Sequence, residues 1–533
     1  MPGLATVVCL LFIVYLLWTD LRRPDSPSTA LWVPVAWMFL AGSRYVSSWL
    51  NVAPSFESAD DYAEGSPLDR AVFFALIVAG IVILARRKID WPRLFLNNKW
   101  IVLYLLYCLA SMAWSDEPFL LMKRWVKDLG NPIMALVILT EGRPYEAVGV
   151  VLRRLAFLLL PLSVLFIKYY PELGRAYKAD GSPMFTGVGH QKNDLGLMCL
   201  LAGIYVFWEL LQRSRPRRLG RAHPVHGNAQ LRGFTSSGFR GFTRGLGRRV
   251  RALVGAARGN RHPGFMQQHK IIAVVLTGML AWLLSMSDSQ TSLVCLVAAV
   301  LLLLLGRTPF MARRPATIFG VLLSAMAIWP LVEVLHLKEL TLGFLGRDPS
   351  LTNRTVIWQT LERFDMNPFV GVGFMSFWTG ARLEALWRQV GTINQAHNGY
   401  LEQYLNLGYI GVAFIAVIVL SGLLRVRRHL NDDPAAGMLR LSFIVSAVLY
   451  NYTEASFYGM NNIWMLLLLG CLEVPRQRQP RAVDISPSKQ RMVQGKTGVR
   501  YQQWPPRFHA KGQRRQCEQA RRLAMPPSPK RLP

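Results

Sequence analysis

The chain has 533 residues, 52% of them hydrophobic and 17% charged, with a mean hydropathy of +0.25. Soluble domains carry about 25% charged residues, so this composition excludes a disordered chain, a coiled coil and an ordinary soluble enzyme. The net charge of +30 is uneven: 212–269 holds 13 Arg and no acid, and 474–533 holds 15 Lys+Arg against Asp484 and Glu518.

A bilayer core takes about 20 apolar residues per helix. Thirteen spans are expected in chain order: 4–19, 30–50, 70–85, 99–114, 124–140, 150–167, 194–211, 270–285, 291–306, 316–335, 399–423, 438–452 and 459–473. Arg44 is the clearest charge deep inside one of them. The fold class is therefore all-α, a polytopic membrane protein of about 12–13 helices. Alternate connections are basic: Arg22-Arg23, Arg86-Arg87-Lys88, Arg153-Arg154, 212–269, Arg307 with Arg313-Arg314, Arg425 with Arg427-Arg428, and the tail. The positive-inside rule puts these in the cytoplasm and the N-terminus outside. The chain divides into helices 1–211, a basic loop 212–269, helices 270–473 and a basic tail 474–533. Two long outer loops remain, 168–193 and 336–398.

The two basic segments have nothing to bury a core and read as disordered. Their partner is anionic membrane lipid rather than nucleic acid, because they are tethered to a membrane protein. The six cysteines form no CxxC pair, so neither a disulfide framework nor a metal site is indicated.

Polar residues gather at outer helix ends. Asn394 to Glu402 opens span eleven and contains His397. A histidine at the mouth of an apolar helix suits proton transfer near neutral pH. The bland alternative is that His397 and Asn398 merely cap the helix. Arg347 and Arg354 suit bidentate phosphate binding, or pair with Asp348, Glu362 or Asp365. Lys192, in His190-Gln191-Lys192-Asn193-Asp194-Leu195-Gly196, is a functional candidate or a snorkelling side chain. Lys123-Arg124 with Lys127 lies outside against the charge bias. Asn451-Tyr452-Thr453-Glu454 is a further outer-edge cluster, and Glu454, a single carboxylate at a span end, is a functional candidate or a solvated residue.

These segments, in this order, resemble the O-antigen ligase and polymerase family of bacterial surface-glycan enzymes. The matching stretches are Lys123-Arg124 through Gly130-Asn131, His190 through Gly196, Ser285 through Thr291, Arg354 through Trp358, Pro368 through Gly373, and His397-Asn398-Gly399. The likeness leans to the exopolysaccharide polymerase branch. It departs at Asn353, where the family has Gly, and at Gln290, where it has a basic residue. The resemblance implies a GT-C-like fold and polymerisation of undecaprenyl-pyrophosphate-linked oligosaccharide at the periplasmic face of the inner membrane. It implies no metal or cofactor, and an acceptor glycan, a flippase and chain-length regulators as partners. His397 becomes the catalytic residue. Arg347, Arg354, Lys192 and Arg124 become substrate-binding residues. The alternatives are ligation of glycan to lipid A-core or another acceptor, and transport of the lipid-linked glycan. A transporter would place its polar residues near the bilayer midplane, whereas these cluster at helix ends.

Overall fold

The computed structural model describes residues 1–23, 28–52, 66–178, 181–211, 265–308, 310–311, 314, 317–320, 354–361, 363–391 and 393–475. Within them run α1 (Pro2–Leu21), α2 (Trp32–Gly42), α3 (Pro67–Ala85), α4 (Trp91–Asn97), α5 (Lys99–Ala110), α6 (Pro118–Asp128), α7 (Gly130–Leu139) and α8 (Pro144–Tyr169). They continue as α9 (Lys192–Leu211), α10 (Lys270–Ser287), α11 (Gln290–Leu305), α12 (Arg354–Leu361), α13 (Gly380–Val390), α14 (Gly399–Asp432), α15 (Pro434–Tyr450) and α16 (Asn462–Cys471). The two strands, β1 (Arg175–Tyr177) and β2 (Pro183–Phe185), form one antiparallel hairpin. Expected span 316–335 falls outside the described residues except 317–320, as do most of 212–269 and the tail from 476.

The protein is a multi-pass, all-helical membrane protein. Among the described residues, six helices are long and apolar enough to cross a bilayer: α1, α3, α8, α9, α10 and α14. The pair α4–α5 also qualifies, but is bent by 84° at Asn98. Shorter apolar helices (Thr29–Gly42, α11, α15 and α16) occupy four more expected spans. Helices α8 and α9 are 83% and 78% buried inside the protein, while α1 is only 17% buried. The first two are therefore the bundle's core, and α1 turns an apolar surface outward as a lipid-facing helix does.

Three expectations change. Span 124–140 resolves into α6, which is amphipathic, and the ten-residue apolar α7. Span 30–50 is interrupted after Gly42, so Arg44 lies at a break and donates to the Leu173 carbonyl, not deep in a helix. Arg153 and Arg154 are not in a loop. They are buried inside α8, and both guanidinium groups bind the Asp20 carboxylate, Arg154 Nε at 2.8 Å. Burying a charge is tolerable only when it is paired, and Asp20 at the end of α1 supplies the pair. Residues 265–268 at the end of the basic segment are also ordered, as a helical turn with Phe265 and Met266 buried.

Helix α14 is broken at Gly408, with φ 62° and ψ −166°. The Pro368–Gly373 segment docks into that break. Val372 N donates to Leu405 O at 3.2 Å, Gly373 N to Asn406 O at 2.8 Å, Tyr409 N to Pro368 O at 2.9 Å, and Ile410 N to Phe369 O at 3.2 Å. Tyr107 Oη adds a bond to Leu407 O at 3.1 Å. These bonds satisfy the backbone groups that the break frees, as an apolar setting requires. The approach is close enough that a Cβ on Gly408 would lie 2.2 Å from Phe369 C, and one on Gly371 (φ 65°) 2.5 Å from Asn406 C. The turn thus anchors the large loop to α14. The loop's inner face closes over a small core of its own: Leu361, Phe377, Trp378, Leu383, Leu386, Ala396 and Leu405.

At the opposite end of α14, the last carbonyls of α16 are taken up by arginines. Arg440 Nε donates to Gly470 O at 2.8 Å and Arg425 Nη1 to Cys471 O at 2.7 Å. Asn98, in the α4–α5 bend, holds both the N–H and the C=O of Glu473 at 2.9 Å. The Glu473 carboxylate takes His429 Nε2 at 3.0 Å and Arg440 Nη1 at 3.1 Å. Burial alone would raise the Glu473 carboxyl; the His429 hydrogen bond and the Arg440 charge outweigh it and bring it from 4.5 to about 2.

Two expectations follow for the purified protein in detergent. Gly408→Ala and Gly371→Ala should each lower the melting midpoint, costing at least about 1 kcal/mol from the left-handed backbone alone. Gly278→Ala, where nothing lies within 4 Å of the added methyl, should not. Because the Glu473 carboxyl is depressed on folding, its contribution is present above about 4.5 and is lost as pH falls to about 2. Wild type and Glu473→Gln should therefore melt apart at pH 7 and converge near pH 2.

Candidate functional site

The site is built where five helices begin or end. Asp194 fixes the start of α9 by accepting the backbone N–H groups of His190 and Gln191, both at 3.0 Å. That turn presents Lys192 and Asn193. Helix α10 ends at Asp288, which is left-handed (φ 44°), and Ser289 caps α11 through its hydroxyl. Helix α14 starts at Asn398, whose Oδ1 accepts Tyr400 N at 3.0 Å and Leu401 N at 3.1 Å. Helix α15 ends at Tyr450 and leads into a turn carrying Glu454.

Asn398 alone is thus the cap. His397 is left-handed (φ 51°), which a non-glycine residue adopts uncommonly, and its ring turns toward the α15 turn. Nδ1 lies 3.4 Å from Glu454 Oε2. The other Glu454 oxygen accepts Asn193 Nδ2 at 2.7 Å. The Glu454 side chain is 7% exposed and the His397 ring 27%, so the carboxylate is buried and the imidazole reaches the surface. Beside them Lys192 Nζ pairs with Asp288 Oδ2 at 3.4 Å, and the Thr291 and Thr453 hydroxyls meet at 2.6 Å. Gly399 completes the junction: its N–H donates to Asn451 O at 2.8 Å, and a Cβ there would lie 2.1 Å from Asn451 Oδ1.

Lys192 thus directly precedes Asn193, which shares the Glu454 carboxylate with His397. Arg354 is placed by its backbone. It opens α12, one turn before Trp358, whose Nε1 donates to Ala396 O at 2.8 Å, next to His397. Arg347 lies outside the described residues. Arg124 is directed elsewhere: its guanidinium binds the Met375 carbonyl, in the turn where Arg382 reaches Ser376 O at 3.3 Å and Asp116 at 2.7 Å. One turn along α6, Lys127 Nζ stands 5.6 Å from the Tyr45 ring centroid. Burial lowers its ammonium to about 8, Asp69 opposing and Arg124 and Arg70 adding to the effect.

The Gly130-Asn131 stretch acts as a brace. Asn131 accepts Trp37 Nε1 at 2.7 Å and donates to Gly459 O at 2.8 Å and Asn461 O at 3.1 Å. Asp128 Oδ1 accepts Gly459 N at 2.6 Å. These bonds hold the far end of the turn that carries Glu454. Sequence reasoning weighed Glu454 against a solvated reading without committing to it, and gave Asn193 no role of its own. The available signal was an acid at the end of an apolar run, in register with the other outer polar groups.

Residues 272–416, from α10 through the large loop into α14, match the family described as O-antigen ligase. The chain is also similar to the exopolysaccharide production protein ExoQ of Rhizobium meliloti (strain 1021), 24% identical over 412 residues, covering 73% of this chain and 81% of that protein. The matched domain contains Asp288, Arg354 and His397, while Lys192, Asn193 and Glu454 come from helices on either side of it.

The backbone at His397 gives a direct test. Asparagine tolerates the left-handed region better than alanine. His397→Asn should melt at or above the wild-type midpoint, and His397→Ala below it by up to about 1–2 kcal/mol. If the Asn variant is the less stable of the two, the ring rather than the backbone holds this junction.

Proposed function

We propose that this protein is a membrane glycosyltransferase that polymerises oligosaccharide repeat units carried on undecaprenyl pyrophosphate. It works at the outer face of a bacterial inner membrane, and His397 is its base. The observation that carries this is an imidazole at the start of an apolar helix, backed by a buried carboxylate that it shares with the asparagine next to Lys192. The similarity to an exopolysaccharide production protein supports the choice of polymer.

The chemistry is a displacement at the sugar's anomeric carbon. An acceptor hydroxyl on one repeat unit attacks that carbon and forms the new C–O bond. Its proton passes to His397, for which Nε2 is the available nitrogen. The bond from the anomeric carbon to the phosphate oxygen breaks, and the lipid pyrophosphate leaves with the electron pair. A single displacement of this kind inverts the anomeric centre. Fixed cations stabilise charge growing on the leaving oxygens. Lys192 and Arg354 take that part, with Arg347 and Arg124 as further phosphate-binding candidates. A site at helix ends leaves the polyprenyl tail in lipid while the sugars stay in water.

Ligation is the second reading, favoured by the family description itself. Deleting the gene and resolving surface and lipid-linked glycans by gel separates the two. Loss of long chains with single units left on the carrier supports the polymerase. Long chains stranded on the carrier support the ligase.

Complementation of that deletion tests the residues. A general base contributes about 10²–10⁴-fold, so His397→Asn, although stably inserted, should make no long chains. Arg354→Lys should be damaging because lysine lacks the planar fork, and Arg354→Ala at least as much. Normal polymer from His397→Asn would remove the proton-transfer role.

A further inference from the structure

The polar cluster contains one more group than an imidazole base and phosphate-binding cations require. Glu454 is buried, comes from a different helix pair, and has each oxygen committed to a defined partner. An ionised carboxylate only accepts hydrogen bonds. Asn193 must therefore offer its NH₂ to Oε1, and His397 must offer Nδ1–H to Oε2. We propose that Glu454, oriented by Asn193, is the positioning residue that fixes His397 in the Nδ1–H tautomer. This rests on the reading of His397 as the base.

Three features of the geometry support this. His397 is left-handed, and from that backbone its Nδ1 reaches within 3.4 Å of Glu454 Oε2 in the α15 turn. That turn is held at both ends: Asn451 grips Gly399 and Ser456, at 2.8 and 2.7 Å, and Asp128 and Asn131 grip Gly459. The remaining charged groups nearby are already engaged. Lys192 pairs with Asp288, and Asp194 is turned to the backbone of its own helix start. Glu454 is thus the carboxylate that meets the imidazole. With Nδ1–H donated to it, Nε2 keeps its lone pair and faces the exposed side. When Nε2 takes the acceptor's proton, the carboxylate stabilises the imidazolium, the arrangement known from hydrolase triads.

The link has a polarity that can be reversed. In Glu454→Gln, Asn193 still donating to one end turns the Gln NH₂ toward Nδ1, and the ring must then carry its proton on Nε2, where it cannot act as a base. Asn193 can also rotate its amide, so the single variant populates both arrangements. Adding Asn193→Asp commits to the productive one. An aspartate accepts from the Gln NH₂, and the Gln carbonyl then faces Nδ1–H.

The test uses the full-length protein in nanodiscs, with lipid-linked glycan extracted from a strain deleted for its gene. Rates are measured from pH 5 to 8. Glu454→Gln should lower kcat at least about tenfold with little change in KM. Its acid limb should move to lower pH, because the negative charge that favours imidazolium is gone. The double variant with Asn193→Asp should be several-fold faster than Glu454→Gln alone. A merely structural glutamate predicts neither the shifted limb nor the rescue. Wild-type kcat in Glu454→Gln, or a folded double variant no faster than the single, overturns the proposal. If Glu454→Gln does not fold, Asn193→Ala reads the same link: lower kcat at constant KM is expected, and unchanged kcat overturns it. Activity retained in His397→Ala would instead overturn the base assignment itself.

Discussion

A helix that stops or breaks within an apolar bundle must have its freed backbone groups bonded inside the protein. Much of this structure answers that requirement. The break at Gly408 is filled by the Pro368–Gly373 turn with four backbone bonds. The end of α16 is filled by Arg425, Arg440 and Asn98. The starts of α9, α11 and α14 are filled by Asp194, Ser289 and Asn398. Once those obligations are met, the helix ends become places where polar side chains can stand at low cost. The candidate site occupies the place where several such ends coincide.

The apolar runs were legible because burial, in protein or in lipid, writes the same signal. Helices α1, α3, α9, α10, α11 and α14 start within three residues of the expected positions. What the runs do not encode is which of them face lipid. Helices α1 and α8 are equally apolar, yet one is mostly exposed and the other mostly buried. Charge was harder to place. Arg153 and Arg154 look like a cytoplasmic marker in sequence, and their true setting depends on Asp20, more than 130 residues away.

The site was legible in part for the same reason. His397 and Lys192 declare themselves as polar residues opening apolar helices. Glu454 does so more weakly, and nothing local says that it is buried or that its partners are Asn193, 261 residues upstream, and His397, 57 upstream. The motifs also divide by job in a way that spacing cannot reveal. Gly130-Asn131 and Pro368–Gly373 hold backbone and turns, whereas His190–Gly196 and His397–Gly399 bring side chains to the cluster. Ordered motifs thus point to a neighbourhood, and the geometry sorts scaffold from chemistry within it.

The fastening around Glu473 has a mechanical consequence. Glu473 stands two residues beyond the short helix α16 and, in sequence, directly before the basic segment 474–533. Any force applied to the tail, by a charged surface or another protein, meets first the hydrogen bonds of Asn98, Arg440 and His429. Those bonds tie Glu473 to three separate helical elements, so the load is shared before it reaches α16. The attachment works as a strain relief: a pull on the chain beyond Glu473 is spread over the α4–α5 bend, α14 and α15 rather than carried by α16 alone.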